Sequence, residues 1–307
     1  EEYERLVRAA AAAIRSADPD AQVVDSGISS VAYGMGVVDR LLRTGQDAAA
    51  LAAYQGYFAR RIGTRGRQIP PVSDPAQLRQ VLAEPANARN LAFLAATERL
   101  LDAGTVHVRQ VHFYEHVDGV APLLEYLRSE TPAGMPIEAW EVGQFWRDAA
   151  GTGSTGAGDD PARTAELVRV VSSLLAGGIR EVIWLPLAYN PNNQAGAEVR
   201  YGLLDPDGTQ RQAGRAFTDL AAAAREATMT PVSEGPLAGL AFDRAGQSVL
   251  VVWSRSGGPV TVPAAPDLRA GPPGVPPSGV GEPVVVGTDP VLLQADRPSA
   301  EVLATVR

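Results

Sequence analysis

Cysteine and lysine are both missing from this 307-residue sequence. The first absence excludes disulfides and thiolate metal centres. The second leaves all 27 basic residues as arginine, which, with heavy use of alanine, glycine and proline, points to a GC-rich bacterial coding sequence. Histidine is scarce, and His107, His112 and His116 fall within ten positions of one another. Positive charge is in deficit: the net charge is -8 and the pI is near 5.0. No basic stretch accumulates, which argues against a phosphate backbone, and with it nucleic acid, as a partner. No apolar run reaches the roughly 18 residues that a membrane span needs, and no signal peptide opens the chain.

What is present is a chain rich enough in apolar residues, at 45%, to build one large domain and a small one. It starts at Glu1, without Met, inside an amphipathic helical pattern carried by Tyr3, Leu6, Val7, Ala10 and Ile14. A start of that kind predicts that sequence has been lost upstream. Ala21 to Ser29 reads as a buried strand, and 31–103 as mostly helix, divided by a Pro-containing connection from Gly63 to Pro75. The second strand runs from Val106 to His116, with Gln110, His112 and Tyr114 on one face and Val111 and Phe113 on the other. A short helix, Pro122 to Arg128, leads to PIEAWEVGQFW, the third strand and its exit. Asp160 and Pro161 predict the cap and first residue of a helix that stops at Gly177 and Gly178. Glu181 to Asn190 is the fourth strand, and Ala216 to Ala224 a helix. Alternation of strand and helix predicts a parallel sheet. From Gly239 the texture changes to short alternating runs with turn residues between them, a small antiparallel β-domain. Its stretch from Pro263 to Pro283 reads as a long loop.

The third strand holds the main chemical candidate. Strict alternation puts Ile137, Ala139 and Glu141 on one parity and Glu138, Trp140 and Val142 on the other. A carboxylate at the C-terminal end of a parallel barrel strand is placed for chemistry. The plainer reading is a Glu in the first turn of a loop. Glu138, nearer the start of the strand, reads as structural. Polar residues on a buried strand need partners, which draws in His112 and Tyr114. A metal site built on His112, Glu115 and His116 is the rival use, but an i, i+4 spacing suits a helix face and not a strand. No metal and no cofactor are therefore expected.

Four segments resemble the retaining glycoside hydrolases of clan A, the (β/α)8 enzymes, most nearly the family 39-like and cellulase-like bacterial members. EEYERLVRAAAAAIRSADPDAQVV is similar to the helix and fifth strand of that clan, VHFYEH to its sixth strand, PIEAWEVGQFW to its seventh, and YGLLDPDGTQRQAGRAFTDLA to the segment after its eighth. The resemblance implies strands five to eight of a TIM barrel over 1–229, with a helical insertion around 31–103. A β-sandwich-like domain follows over 236–307. It implies a glycosidase that acts with retention on an oligo- or polysaccharide or a smaller glycoside, with Glu141 as nucleophile. His112, Tyr114, Trp146, Trp184, Tyr189 and Asn190 become candidate substrate-binding residues, the two tryptophans as stacking platforms. Asn-Glu, the clan's acid/base pair at the end of its fourth strand, has no counterpart here, and Glu1 and Glu2 match its helix start instead. The acid/base is therefore expected upstream of Glu1, the fragment alone is expected to be inactive, and secretion is expected from the resemblance. The alternative is a non-catalytic carbohydrate-binding or scaffold protein on a degenerate barrel.

Overall fold

The structure, a computed structural model, describes residues 1–58, 69–144, 159–188, 202–233 and 235–306. The fold mixes helix and sheet in two compact units. The first is formed chiefly by Glu1–Gly153 with Ile179–Leu185, and the second by Ser154–Gly178 with Val199–Arg307.

The first unit carries α1 (Glu2–Ala17), α2 (Ser30–Arg43), α3 (Asp47–Phe58), α4 (Pro75–Ala83), α5 (Pro85–Asp102) and α6 (Val120–Ser129), with strands β1 (Arg109–Phe113), β2 (Ile137–Val142) and β3 (Val182–Trp184). The helical stretch read as 31–103 is thus α2 to α5. The start of α4 follows from its sequence: Asp74 accepts from the amides of Ala76 and Gln77, both at 2.9 Å, and Pro75 fills the first turn. The core is made where Tyr33, Met35 and Val38 of α2, Tyr57 of α3, Val111 and Phe113 of β1, and Leu123 and Leu127 of α6 are all buried.

The strands form one parallel sheet in the order β1-β2-β3. Its edges are not closed on each other among the described residues. The strand expected over Ala21 to Ser29 is reduced to a single parallel bridge, Val24 to Val108. The cause is Asp25. Its own amide donates to Val108 O at 3.0 Å, but its side-chain Oδ1 takes the next amide, Gln110 N, at 2.6 Å, so the backbone is free to leave the sheet. The fourth expected strand is likewise shorter, ending regular pairing at Trp184, with Leu185 N adding one bond to Val142 O at 2.7 Å.

The second unit carries α7 (Pro161–Ala176) and α8 (Gln212–Ala224). It also holds strands β4 (Thr228–Val232), β5 (Leu237–Arg244), β6 (Gln247–Ser254), β7 (Val260–Val262), β8 (Arg269–Gly271), β9 (Val284–Val286) and β10 (Val291–Ala295), and a last short helix, α9 (Ser299–Leu303). As expected, Asp160 caps α7 by accepting from Arg163 N at 3.1 Å, with Pro161 next. One sheet has the order β4-β5-β6-β10-β8 and is antiparallel throughout; β7 and β9 pair separately. The Pro263 to Pro283 stretch is not simply a loop. It contains β8, and the carbonyls of Pro273 and Gly274 accept from Gln212 and Arg215 of α8 at 2.9 and 3.0 Å.

Candidate active site

β1 and β2 pair so that Gln110 faces Glu138 and His112 faces Glu141. A step of two residues on β1 therefore spans a step of three on β2. The pairing of β2 with β3 repeats the mismatch, Ala139 with Val182 and then Val142 with Trp184. β2 thus carries one extra residue, a β-bulge, between Ala139 and Val142. Strict alternation put Glu141 on the parity of Ile137 and Ala139. The bulge turns it instead to the face of Glu138, Gln110 and His112, which corrects the sequence-based assignment.

On that face Glu141 receives two partners. His112 Nδ1 lies 2.8 Å from Glu141 Oε2, and Tyr114 donates its hydroxyl to Glu141 Oε1. Both donors come from β1 or its exit, and both are aimed by glycines. A Cβ on Gly27 would stand 2.6 Å from Cε1 and Nε2 of His112; one on Gly143 would stand 2.6 Å from the Tyr114 ring and 2.4 Å from the Leu185 carbonyl. Any side chain at either position would have to move the group that holds Glu141.

The Glu141 side chain remains 34% exposed, open to a ligand, while His112 is less so at 19%. Burial lowers the pKa of His112 below its ordinary value, and the neighbouring Glu141 carboxylate pulls it back only in part. A neutral imidazole beside a carboxylate at this distance carries its hydrogen on Nδ1, leaving Nε2 toward Gly27. Asp25 is 6% exposed, and burial raises its pKa to about 7 against the opposing effects of Gln110 N–H and Arg109. The arrangement presents one oriented carboxylate, held by two donors, at the C-terminal end of parallel strands. Such a group is equipped to act as a nucleophile or a base.

The remaining expected site residues fall elsewhere. Trp184 is 3% exposed, paired with Val142 across the sheet. Trp146, Tyr189 and Asn190 lie outside the described residues. His112, Glu115 and His116 have different partners: Glu115 receives the Ser30 hydroxyl, and His116 Nδ1 lies 3.0 Å from Asp118. No metal-binding group of three such side chains occurs among the described residues. Glu138 is an internal structural residue, 3% exposed, accepting from Trp140 Nε1 at 2.6 Å and from Arg180 Nε at 2.8 Å. Asp25, Gly27 and Gly143 were not singled out by sequence. The only signal for the first two was a D-S-G exit from an apolar run.

No protein-family model matches the chain, and no curated protein matches it. Among solved structures it is similar to a GH30 endoxylanase from Clostridium papyrosolvens C71, at 13% identity and a TM-score of 0.37, over 72% of this chain and 53% of that one. A glycoside hydrolase family 30 subfamily 8 xylanase from Clostridium acetobutylicum matches at 11% identity and a TM-score of 0.41, over 73% of this chain and 62% of that one. A β-porphyranase of glycoside hydrolase family 86 from the human gut bacterium Bacteroides plebeius matches at 13% identity and a TM-score of 0.43, over 68% and 45%. The chain thus spans less than two thirds of each of these proteins. At such scores the likenesses carry no weight for the activity of this chain, which is argued from its residues.

Proposed function

We propose that this chain belongs to a glycoside hydrolase that cleaves O-glycosyl bonds with retention, and that Glu141 is its nucleophile. The observation that carries the reading is the Glu141 carboxylate itself, set by a β-bulge on the face of His112 and Tyr114 and bonded by both, yet 34% exposed. In this reading the parallel strands are part of a (β/α)8 barrel, and the antiparallel strands are an appended β-domain.

The chemistry follows from the roles of the three groups. Glu141 Oε attacks the anomeric carbon as the glycosidic bond breaks, and the departing oxygen keeps the bonding electrons. The covalent ester so formed is then hydrolysed by water. Tyr114 and His112 keep the carboxylate in one orientation before attack, so little ordering remains for the reacting complex. A second carboxyl, about 5–5.5 Å away, protonates a poor leaving group in such enzymes. A dinitrophenolate leaves without that help, so the nucleophile can be tested by itself.

Dinitrophenyl glycosides of several sugars should release phenolate in the presence of the protein, and Glu141→Gln should return release to the uncatalysed rate. Unchanged release by the variant would remove Glu141 from the mechanism. Binding of the sugars without release by either protein would favour the carbohydrate-binding alternative.

A further inference from the structure

Behind the Glu141 group lie two buried oxygens with no hydrogen-bond partner, Asp25 Oδ2 and Gln110 Oε1. Both residues are more than nine-tenths buried, at 6% and 8% exposure. They are tied side by side, since Gln110 N donates to Asp25 Oδ1 at 2.6 Å. Gly27, two residues beyond Asp25, bears on the same group: a Cβ there would lie 2.9 Å from Gln110 Oε1 and 2.6 Å from the His112 ring. A buried acceptor without a donor is costly, and here two occur on residues joined by a hydrogen bond. A hydrogen on Asp25 Oδ2 that reached Gln110 Oε1 would meet both deficits.

The charged and titratable groups around Asp25 do not supply that hydrogen. Arg109 on β1 acts on it through its charge, while its Nη2 and Nη1 bond Glu98 at 3.5 Å and Thr131 at 3.0 Å and its buried Nε bonds neither Asp25 nor any other group among the described residues. Tyr33 on α2 donates to the Gln110 carbonyl at 2.7 Å, and Tyr3 on α1 donates to Ser26 at 2.9 Å. His107 uses Nδ1 to accept from Val23 N at 2.9 Å, and His112 uses its own on Glu141.

We propose that Asp25 is protonated in the folded protein and donates from Oδ2 to Gln110 Oε1. This neutral pair, through Gly27, makes both of them positioning residues for His112 and Glu141. Desolvation of the carboxyl, which raises its pKa to about 7, acts in the same direction. Loss of the proton sets two acceptors against each other, loosens the Gly27 turn and frees the imidazole from Glu141. The value of this device for catalysis rests on the reading of Glu141 given above. The proton itself does not.

Asp25→Asn supplies an amide hydrogen in place of the carboxyl hydrogen. In thermal melts of the full chain, the wild type should lose stability as pH rises from the ordinary carboxylate range to about 7, because the folded state keeps a proton that the unfolded state releases. The Asn variant should lack that loss. His112 contributes with the opposite slope, and equally in both proteins while Asp25 keeps its proton, so below pH 7 their difference reports Asp25. Directly, the Asp25 side-chain carboxyl carbon in wild-type protein should titrate near neutral pH in a 13C NMR series, with the His112 ring signals moving in step. A carboxyl that titrates in the ordinary acidic range, or an Asn variant that keeps the wild-type slope or melts lower at pH 5, would overturn the proposal. Those results would mean that Asp25 is ionised, with the Gln110 amide turned to donate to it. Neither readout uses a glycoside, so failure here is distinct from failure of the hydrolase reading.

Discussion

His112 stands under opposing pulls: burial favours the neutral imidazole, and the Glu141 carboxylate 2.8 Å away favours the charged one. Burial is the larger, so the folded protein binds this proton less readily than the unfolded chain does. Below the ordinary histidine value the unfolded state therefore takes up more protons, and stability falls as pH drops through that range. A 15N-detected titration of the ring should give a midpoint below 6.5, the ordinary imidazole value, with the Nδ1–H tautomer above it. A midpoint above that value would mean that the ion pair dominates. That His112 and Tyr114 would meet Glu141 was legible in the sequence, because polar side chains inside an apolar strand need partners and a carboxylate ended the neighbouring strand. The face of Glu141 was not legible. Nothing in I-E-A-W-E-V marks the extra residue, and a bulge reverses the outcome of alternation. Asp25 was hidden for a related reason: an acidic residue at the end of a strand reads as a turn, whereas here its side chain does the work of a ladder carbonyl.

Among the elements, the hairpin joining β5 to β6 is the plainest case of local sequence against local geometry. Arg244 pairs with Gln247, leaving Ala245 and Gly246 as a two-residue turn with φ of 50° and 81°. Both positions are left-handed, which Gly246 accepts freely and an alanine does not. Ala245→Asn should stabilise the protein by about 0.5–1 kcal/mol, since Asn-Gly is the preferred pair for such a turn. The check is a denaturant midpoint that moves up with an unchanged slope; a lower midpoint would show that the turn is not limiting. Helices were the most readable elements: Asp160-Pro161 announces the start of α7 and Gly177 its stop. β4 was not read as a strand at all. Its Pro231 weakens the pattern, and the strand is tolerated because it lies at the sheet edge. β8 was hidden in a stretch whose prolines and glycines suggest loop, and it becomes a strand only by pairing with β10.

At the scale of the whole molecule, alternation of helix and strand foretold a parallel sheet, and the described strands form one in sequence order, β1-β2-β3. Closure into a barrel is a property of strand number and stagger that no single segment encodes, and the sheet is open among the described residues. No helix among them is long and apolar enough to cross a membrane. The charge of -8 sets the electrostatic character of the whole chain. It leaves the chain suited to neutral or cationic ligands rather than to polyanions, which is compatible with a carbohydrate substrate.

The central claim is that Glu141 forms a bond to a sugar, and covalent trapping tests it most directly. The protein would be incubated with 2-deoxy-2-fluoro glycosides bearing a dinitrophenolate leaving group, in the gluco, xylo and galacto series, then weighed intact and mapped by peptide. The account predicts one glycosyl unit on the peptide that contains Glu141, and none on the Glu141→Gln variant. An adduct on any other residue, or no adduct with any of the three sugars, would contradict it.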